Sequence, residues 1–414
     1  SWFGMVTLNA PFDGEVGVHF GEKLAAHDTI ERKPPGSVTY RKTKTAVGKG
    51  TPAPVPAPEA PFAPNVRRGQ VLMPPSVANV CPFRAVELEG WQGKLSKKQL
   101  TLHAIHDPFD EKAARFESSD PLLNQIAALC RHTLHAASYC GVSVDGERER
   151  TPYEADAYIA QLGHQYSDTN APLYRYTLEF LLEFPTWPTE WALHLPLMAE
   201  ADYEATGDIG FTMRLWDKLV PKILRNRARP DGLLEAGAIV DWPPAERDGF
   251  GSGSIATDNR QMAGPMVNVV ANAFALRSLA AMERLAQAGG KSAEAATFRR
   301  DRERAYKAFL AEFLDEKQGI FTDGPRGGHA ALHANLFPLA FGLVPEAHKK
   351  TVVAFIKSRG MACSVYAAHY LLDGLLAAGE TDYVLSLMTA PGDRSWRHMI
   401  ETGAGMTWEA WDAK

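Results

Sequence analysis

The sequence holds 414 residues, 45% hydrophobic and 22% charged, with a net charge of −5 and a pI near 6.2. This is the composition of a globular chain long enough for two or three domains and a large core, without the basic stripe that a nucleic acid or an anionic membrane would require. No apolar run approaches the ~20 residues that cross a bilayer, while nine tryptophans exceed what a core needs, and several stand in polar company.

The chain opens on SWFGMVTLNA, with neither an initiator Met nor a signal sequence, which fits a processed or trimmed start and leaves export open. Residues 1–115 read as a β-sandwich-like domain. VTLNAPFDGEVGVHFGE alternates apolar and polar residues around Asp13-Gly14, as a half-buried hairpin would, and FRAVELEG and KKQLTLHAI alternate in the same way. Between them the Pro/Ala-rich stretch 51–65, TPAPVPAPEAPFAPN, excludes regular helix or central strand and reads as an extended linker or long surface loop. Cys81, Cys130, Cys140 and Cys363 show no zinc-type spacing and are expected to behave as small buried hydrophobes.

From about residue 118 the period becomes helical. Asp120 reads as an N-cap with Pro121 at the first helical position. Further helices are predicted at about 153–166, 171–184, 189–206, 211–226, 258–287, 292–313, 330–341, 346–358 and 364–378, the last capped by Ser364 and closed by Gly379. Such a series fits a helical solenoid or a closed toroid of helical hairpins. A solenoid should repeat at a fixed period, and none is found. A toroid places its chemistry on the loops where the inner-helix ends converge.

Those loops carry the chemistry-bearing residues. DGERERTPYEAD (145–156) packs Asp145, Glu147, Glu149, Glu154 and Asp156 around Arg148 and Arg150, and Pro152 makes it a loop leading into a helix. FPTWPTEW sets Trp187 and Trp191 around Glu190, IVDWPPAERDGF sets Asp241 beside Trp242, and the final stretch sets Glu409 between Trp408 and Trp411. A Trp beside an acid is more often a packing anchor next to a solvated charge. Several such pairs on separate loops suit a sugar, whose C–H faces stack on indoles and whose hydroxyls bind carboxylates and Arg. Glycosidic cleavage also needs two carboxyl groups.

DGERERTPYEAD resembles the acidic signature of the α-L-rhamnosidases of glycoside hydrolase family 78. FESSDPLLNQI resembles that family's entry into its helical domain, and SVYAAHYLLDGLL through SWRHMIETGAGMTWEAWD its later helices and second acidic loop. The resemblance implies an (α/α)6 toroid over 116–414 preceded by a β-domain, and inverting hydrolysis of terminal α-L-rhamnosides without a cofactor or metal. It implies Glu149 as general acid and Glu409 as the water-activating base. It also implies Asp145, Arg148, Tyr153 (usually Trp), Asp156, Asp241, Trp242 and Trp408 as sugar-binding residues; Trp187 and Trp191 read as further platforms from their own loop. The segment after Asp145 is shorter than usual, so Asp145 and Glu147 could exchange roles. Arg148 and Arg150 could depress the pKa of Glu149, whereas burial against Tyr153 and a tryptophan would raise it. A histidine following the second acid, the last toroid helix and a C-terminal β-domain are expected beyond Lys414.

His329 and His333, four apart on a predicted helix, have a spacing that can bind metal but no evident third ligand. The rival readings are another carbohydrate-active toroid, such as a polysaccharide lyase, and a glycan-binding protein that has lost catalysis. A lyase would want a basic groove, against the charge balance; both candidate acids argue against the second. The partner expected is a rhamnose-containing glycan or glycoside, with a homodimer left open. A periplasmic or extracellular location suits polymeric rhamnosides, and a cytoplasmic one suits small rhamnosides.

Overall fold

The computed structural model describes residues 2–25, 29–35, 38–58, 71, 77–144, 150–251, 266–325 and 328–411. Two small sheets come first. In one, β1 (Trp2–Asn9) pairs on one side with β4 (Pro52–Val55) and β5 (Cys81–Phe83), and on the other with β7 (Leu100–Ala104). In the second, β2 (Gly14–Gly21) lies between β3 (Tyr40–Val47) and β6 (Ala85–Glu89). Val6, Leu8, Val55 and Phe83 of the first sheet face Val16, Val18, Phe20 and Val47 of the second across one buried core. Phe20 and Phe83 meet edge to face at 5.2 Å.

Two sequence expectations change here. The predicted hairpin around Asp13-Gly14 does not form, because β1 and β2 belong to opposite sheets. Alternation fixes which face of a strand is buried, not which strand it pairs with, and both strands satisfy it by facing the same core. The second change lies in the Pro/Ala-rich stretch, where Pro52–Val55 is strand β4. It is an edge strand, the one sheet position where a residue lacking an N–H is tolerated. Residues 59–65 of that stretch lie outside the described residues.

The helices follow: α1 (Pro121–Ala137), α2 (Glu154–Gln165), α3 (Ala171–Glu183), α4 (His194–Thr206), α5 (Ile209–Leu219), α6 (Val269–Ala288), α7 (Ser292–Phe313), α8 (Leu332–Ala340), α9 (Glu346–Arg359), α10 (Val365–Ala377), α11 (Thr381–Met388) and α12 (Trp396–Glu401). Their starts follow the sequence chemistry. Asp120 caps α1 by accepting from Leu122 N, and Asn170 caps α3 by accepting from Leu173 N. The start predicted at 258 falls on residues outside the description; helix is described from Val269. The short α11 and α12 were not predicted.

Burial sorts the helices into two layers. The residues of α4 are buried without a break from His194 to Asp202, and α6 and α8 are buried nearly all round. By contrast α7 buries only Ala295, Phe298, Ala305, Phe309 and Phe313, one face of a 22-residue helix. A helix apolar on every side must be surrounded, whereas a one-sided helix can face water. With α2 and α10 these surrounded helices touch in order, α2 to α4, α4 to α6, α6 to α8 and α8 to α10, and α10 returns to α2. Close fits fix this inner ring: a Cβ at Gly374 of α10 would lie 3.0 Å from the backbone N of Ala340 in α8.

The sandwich is fastened to the helices. Phe3 of β1 stacks on Tyr139 at 3.7 Å, Trp2 meets His132 and His135 of α1 edge-on, and Arg84 donates to Gly403 O at 3.0 Å. No helix among the described residues is long and apolar enough to cross a membrane.

Candidate active site

One end of the inner ring collects the N-terminal ends of α2, α4, α8 and α10. Tyr153, the N-cap residue of α2, stacks on Trp187 with ring centroids 5.5 Å apart and planes 13° apart. Trp191 stands edge-on to both, 5.6 Å from Tyr153 and 5.2 Å from Trp187. The structure thus joins three aromatic residues from two loops into one wall. Glu154, the first residue of α2, fixes that arrangement: it is fully buried and accepts from the Thr186 N–H at 2.9 Å and from the Thr186 hydroxyl. Burial raises its pKa, while the Thr186 hydrogen bonds oppose the rise.

Next in the wall comes Glu190, 1% exposed, whose Oε1 accepts from Val240 N at 2.6 Å. Its Oε2 is buried without a hydrogen-bond partner, and burial pushes its pKa up to about 7. One turn on, His194 donates from Nδ1 to Glu190 O at 2.9 Å. Its Nε2 therefore accepts, from the hydroxyls of Tyr370 at 3.1 Å and Tyr366 at 3.2 Å on α10. Burial pushes this imidazole down to about 4, so it is neutral at ordinary pH.

Asp241 is also 1% exposed. Its oxygens accept from Ser364 N at 2.8 Å, His333 Nε2 at 2.6 Å, Trp242 N at 2.9 Å and the Ser364 hydroxyl. Two carboxylate oxygens offer about four lone-pair sites, so this carboxylate is saturated by the protein. Its neighbour Trp242 is exposed, with the Arg247 guanidinium 6.0 Å from its ring centre. Arg247 donates to Asp241 O at 2.9 Å. His329 sits before α8 rather than on it and pairs with Asp323 at 2.8 Å, so the two histidines serve different carboxylates. Among the described residues no group of three or more His, Cys, Asp or Glu is arranged to hold a metal.

The last acidic loop returns to the same end. Trp411 is buried and donates from its indole N to Cys363 O at 2.6 Å, one residue before Ser364. Trp408 is partly buried and edge-on to His398 at 5.8 Å, and Glu409 between the two tryptophans is exposed. Asp156 lies on the first turn of α2, and its charge reaches Tyr366 and Tyr370. Asp145, Glu147, Arg148 and Glu149 lie outside the described residues, whereas Arg150 just after them is buried and donates to Val80 O at 2.6 Å.

Sequence reasoning missed His194, Tyr366, Tyr370 and Arg247, and gave Ser364 a helix cap alone. The Tyr366–Tyr370 spacing, one helical turn, was a usable signal.

A closed inner ring with an entrance walled by indoles and buried carboxyls places the chain among the helical toroids. The family model described as the bacterial alpha-L-rhamnosidase 6 hairpin glycosidase domain matches residues 111–414. The chain belongs to that family. A curated α-L-rhamnosidase from Alteromonas sp. (strain LOR) is 28% identical over 181 residues, 42% of this chain and 18% of that protein. Among solved structures, the Streptomyces avermitilis α-L-rhamnosidase complexed with L-rhamnose superposes with a TM-score of 0.75 at 18% identity, over 100% of this chain and 38% of that one. The Klebsiella oxytoca rhamnosidase with rhamnose bound gives 0.70 at 16% identity, over 99% of this chain and 78% of that one. The chain thus spans well under half the length of the Alteromonas and Streptomyces proteins.

Proposed function

We propose that this chain carries the catalytic unit of an inverting α-L-rhamnosidase. Glu149 gives its proton to the glycosidic oxygen as the bond to the anomeric carbon breaks. Glu409 takes a proton from the water that attacks the opposite face, releasing β-L-rhamnose. The observation that carries this reading is the family membership of residues 111–414, which covers both acidic loops. Two features of the entrance support it. The Tyr153–Trp187–Trp191 wall offers the apolar surface a sugar face needs, and the tie from Trp411 to Cys363 brings the Glu409 loop to the end of the ring that holds Asp241.

Asp145, Arg148, Asp156, Trp242 and Trp408 complete the binding surface in this reading. Because Asp241 is already saturated, we assign the sugar contact of its loop to Trp242 and give Asp241 the task of fixing that loop. We divide the chain at about residue 115, between β7 and α1, and take its substrate to be a terminal rhamnoside outside or inside the cell. The test is a proton NMR time course with an aryl α-L-rhamnoside. β-L-Rhamnose should appear first, and Glu149→Gln and Glu409→Gln should each lower kcat by about 10²–10⁴-fold. First release of the α-anomer, or normal turnover by Glu149→Gln, would overturn the mechanism.

A further inference from the structure

We infer that Glu190, which the proposed reaction does not use, is a positioning residue that sets Trp242 at the entrance by holding the backbone of the 239–250 loop. This rests on the rhamnosidase reading for its kinetic consequences, though not for the structural ones.

The turn in this loop centres on Val240. Its φ is 69°, a left-handed backbone that a β-branched residue adopts only under constraint, and Asp241 N donates back to Ile239 O at 2.8 Å. An i to i+2 hydrogen bond around a residue of positive φ is the pattern of the rare, strained γ-turn. Such a turn persists when its surroundings hold it on both sides. On the following side, the Asp241 carboxylate is gripped by Ser364 and His333, and its carbonyl by Arg247. For the turn residue itself, the grip is the 2.6 Å hydrogen bond from Val240 N to Glu190 Oε1. Glu190 is in turn seated by its own carbonyl, which accepts from His194 Nδ1 and from Leu193 N. One carboxyl therefore joins the entrance of α4, with Trp187 and Trp191, to the turn that presents Trp242.

Charge state matters because Oε2 is buried and has no partner. Arg247 on the 239–250 loop feels the charge of both Glu190 and Asp241, Tyr366 on α10 feels the same two carboxyls, and neutral His194 on α4 and Thr189 beside it complete the polar surroundings of Glu190. While protonated, Glu190 leaves Arg247 to Asp241 and Trp242. Once ionised, Glu190 keeps Val240 N but attracts Arg247 away from the Asp241 carbonyl and Trp242, which weakens the hold on the following side of the turn.

The test compares Glu190→Ala and Glu190→Gln with the wild type in three measurements. In hydrogen exchange of residues 236–250, Glu190→Ala should speed exchange at least tenfold while the inner helices stay protected, and Glu190→Gln, which keeps the acceptor for Val240 N, should restore protection. In turnover of an aryl α-L-rhamnoside, Glu190→Ala should raise KM about tenfold with a smaller effect on kcat, and Gln should rescue most of it. In L-rhamnose titration, wild-type affinity should fall as pH rises above about 7, and the fall should be absent in Glu190→Gln. Unchanged exchange in Glu190→Ala overturns the proposal, as does a Gln variant as impaired as Ala, which would give the carboxylate a chemical role. If the wild type neither cleaves the rhamnoside nor binds rhamnose, the functional reading fails and the exchange experiment alone decides the positioning.

Discussion

Glu190 and His194 are one helical turn apart and are shifted by the same burial in opposite senses for stability. The folded pKa of Glu190 is about 7 against an ordinary 4.5, so between those values the folded protein keeps a proton that the unfolded chain releases. Its contribution is full below the unfolded pKa and is lost as pH rises to the folded one. His194 has a folded pKa of about 4 against 6.5, so the unfolded chain binds the extra proton and stability is lost as pH falls through that window. The two oppose each other over the shared range. Replacing Glu190 by Gln removes one of them. The stability advantage of wild type over Glu190→Gln is therefore expected to shrink by on the order of 3 kcal/mol as pH rises from 4.5 to 7. Urea-unfolding midpoints of the two proteins across that range would check it; a constant difference would contradict the burial argument.

Helix starts carry unequal loads even when their caps look alike. Ser364 caps α10 by accepting from Tyr366 N and Ala367 N, and its hydroxyl also donates to buried Asp241. Ser395 caps α12 by accepting from His398 N, and its own hydroxyl donates to the nearby Gly392 O. Ser395→Ala should cost about 1 kcal/mol. Ser364→Ala should cost about 2–4 kcal/mol, because it also strips a donor from a buried carboxylate. Denaturant unfolding of both variants compares them, and equal costs would mean that Asp241 finds a replacement donor. The same two helices show what the sequence made legible. Ser364 and Gly379 delimit α10 because capping and positive φ are local chemistry, and Gly379 indeed has φ 85°. The six-residue α12 has too few turns to display a period. In the site, the residue types on the loops were readable, and so was the clustering of Trp187 with Trp191. The grip on Asp241 was not, since His333 and Ser364 lie 92 and 123 positions away. No local pattern encodes such pairings.

Across the molecule, sandwich and ring are bonded as one body rather than strung together. The sequence delimited β2 and β6 well but misjudged the partner of β1, because pairing is decided by what lies across the core. The junction rests on Phe3, 5% exposed and stacked on Tyr139. Phe3→Ala should cost about 3–5 kcal/mol. In the wild type, loss of helical signal and loss of amide protection in β2 should coincide on heating; in the variant the two should separate, and continued coincidence would show that the remaining contacts suffice to couple the parts. The return of Trp411 to Cys363, and of Gly403 to Arg84, has a consequence for biosynthesis. A ribosome releases the sandwich and α1 to α10 before it releases the residues that close the entrance. A nascent chain stopped after α10 already holds the aromatic wall and the Asp241 grip, yet has no second acidic loop. The entrance is thus closed late in the order of synthesis, after residue 411 has emerged and folded back onto Cys363.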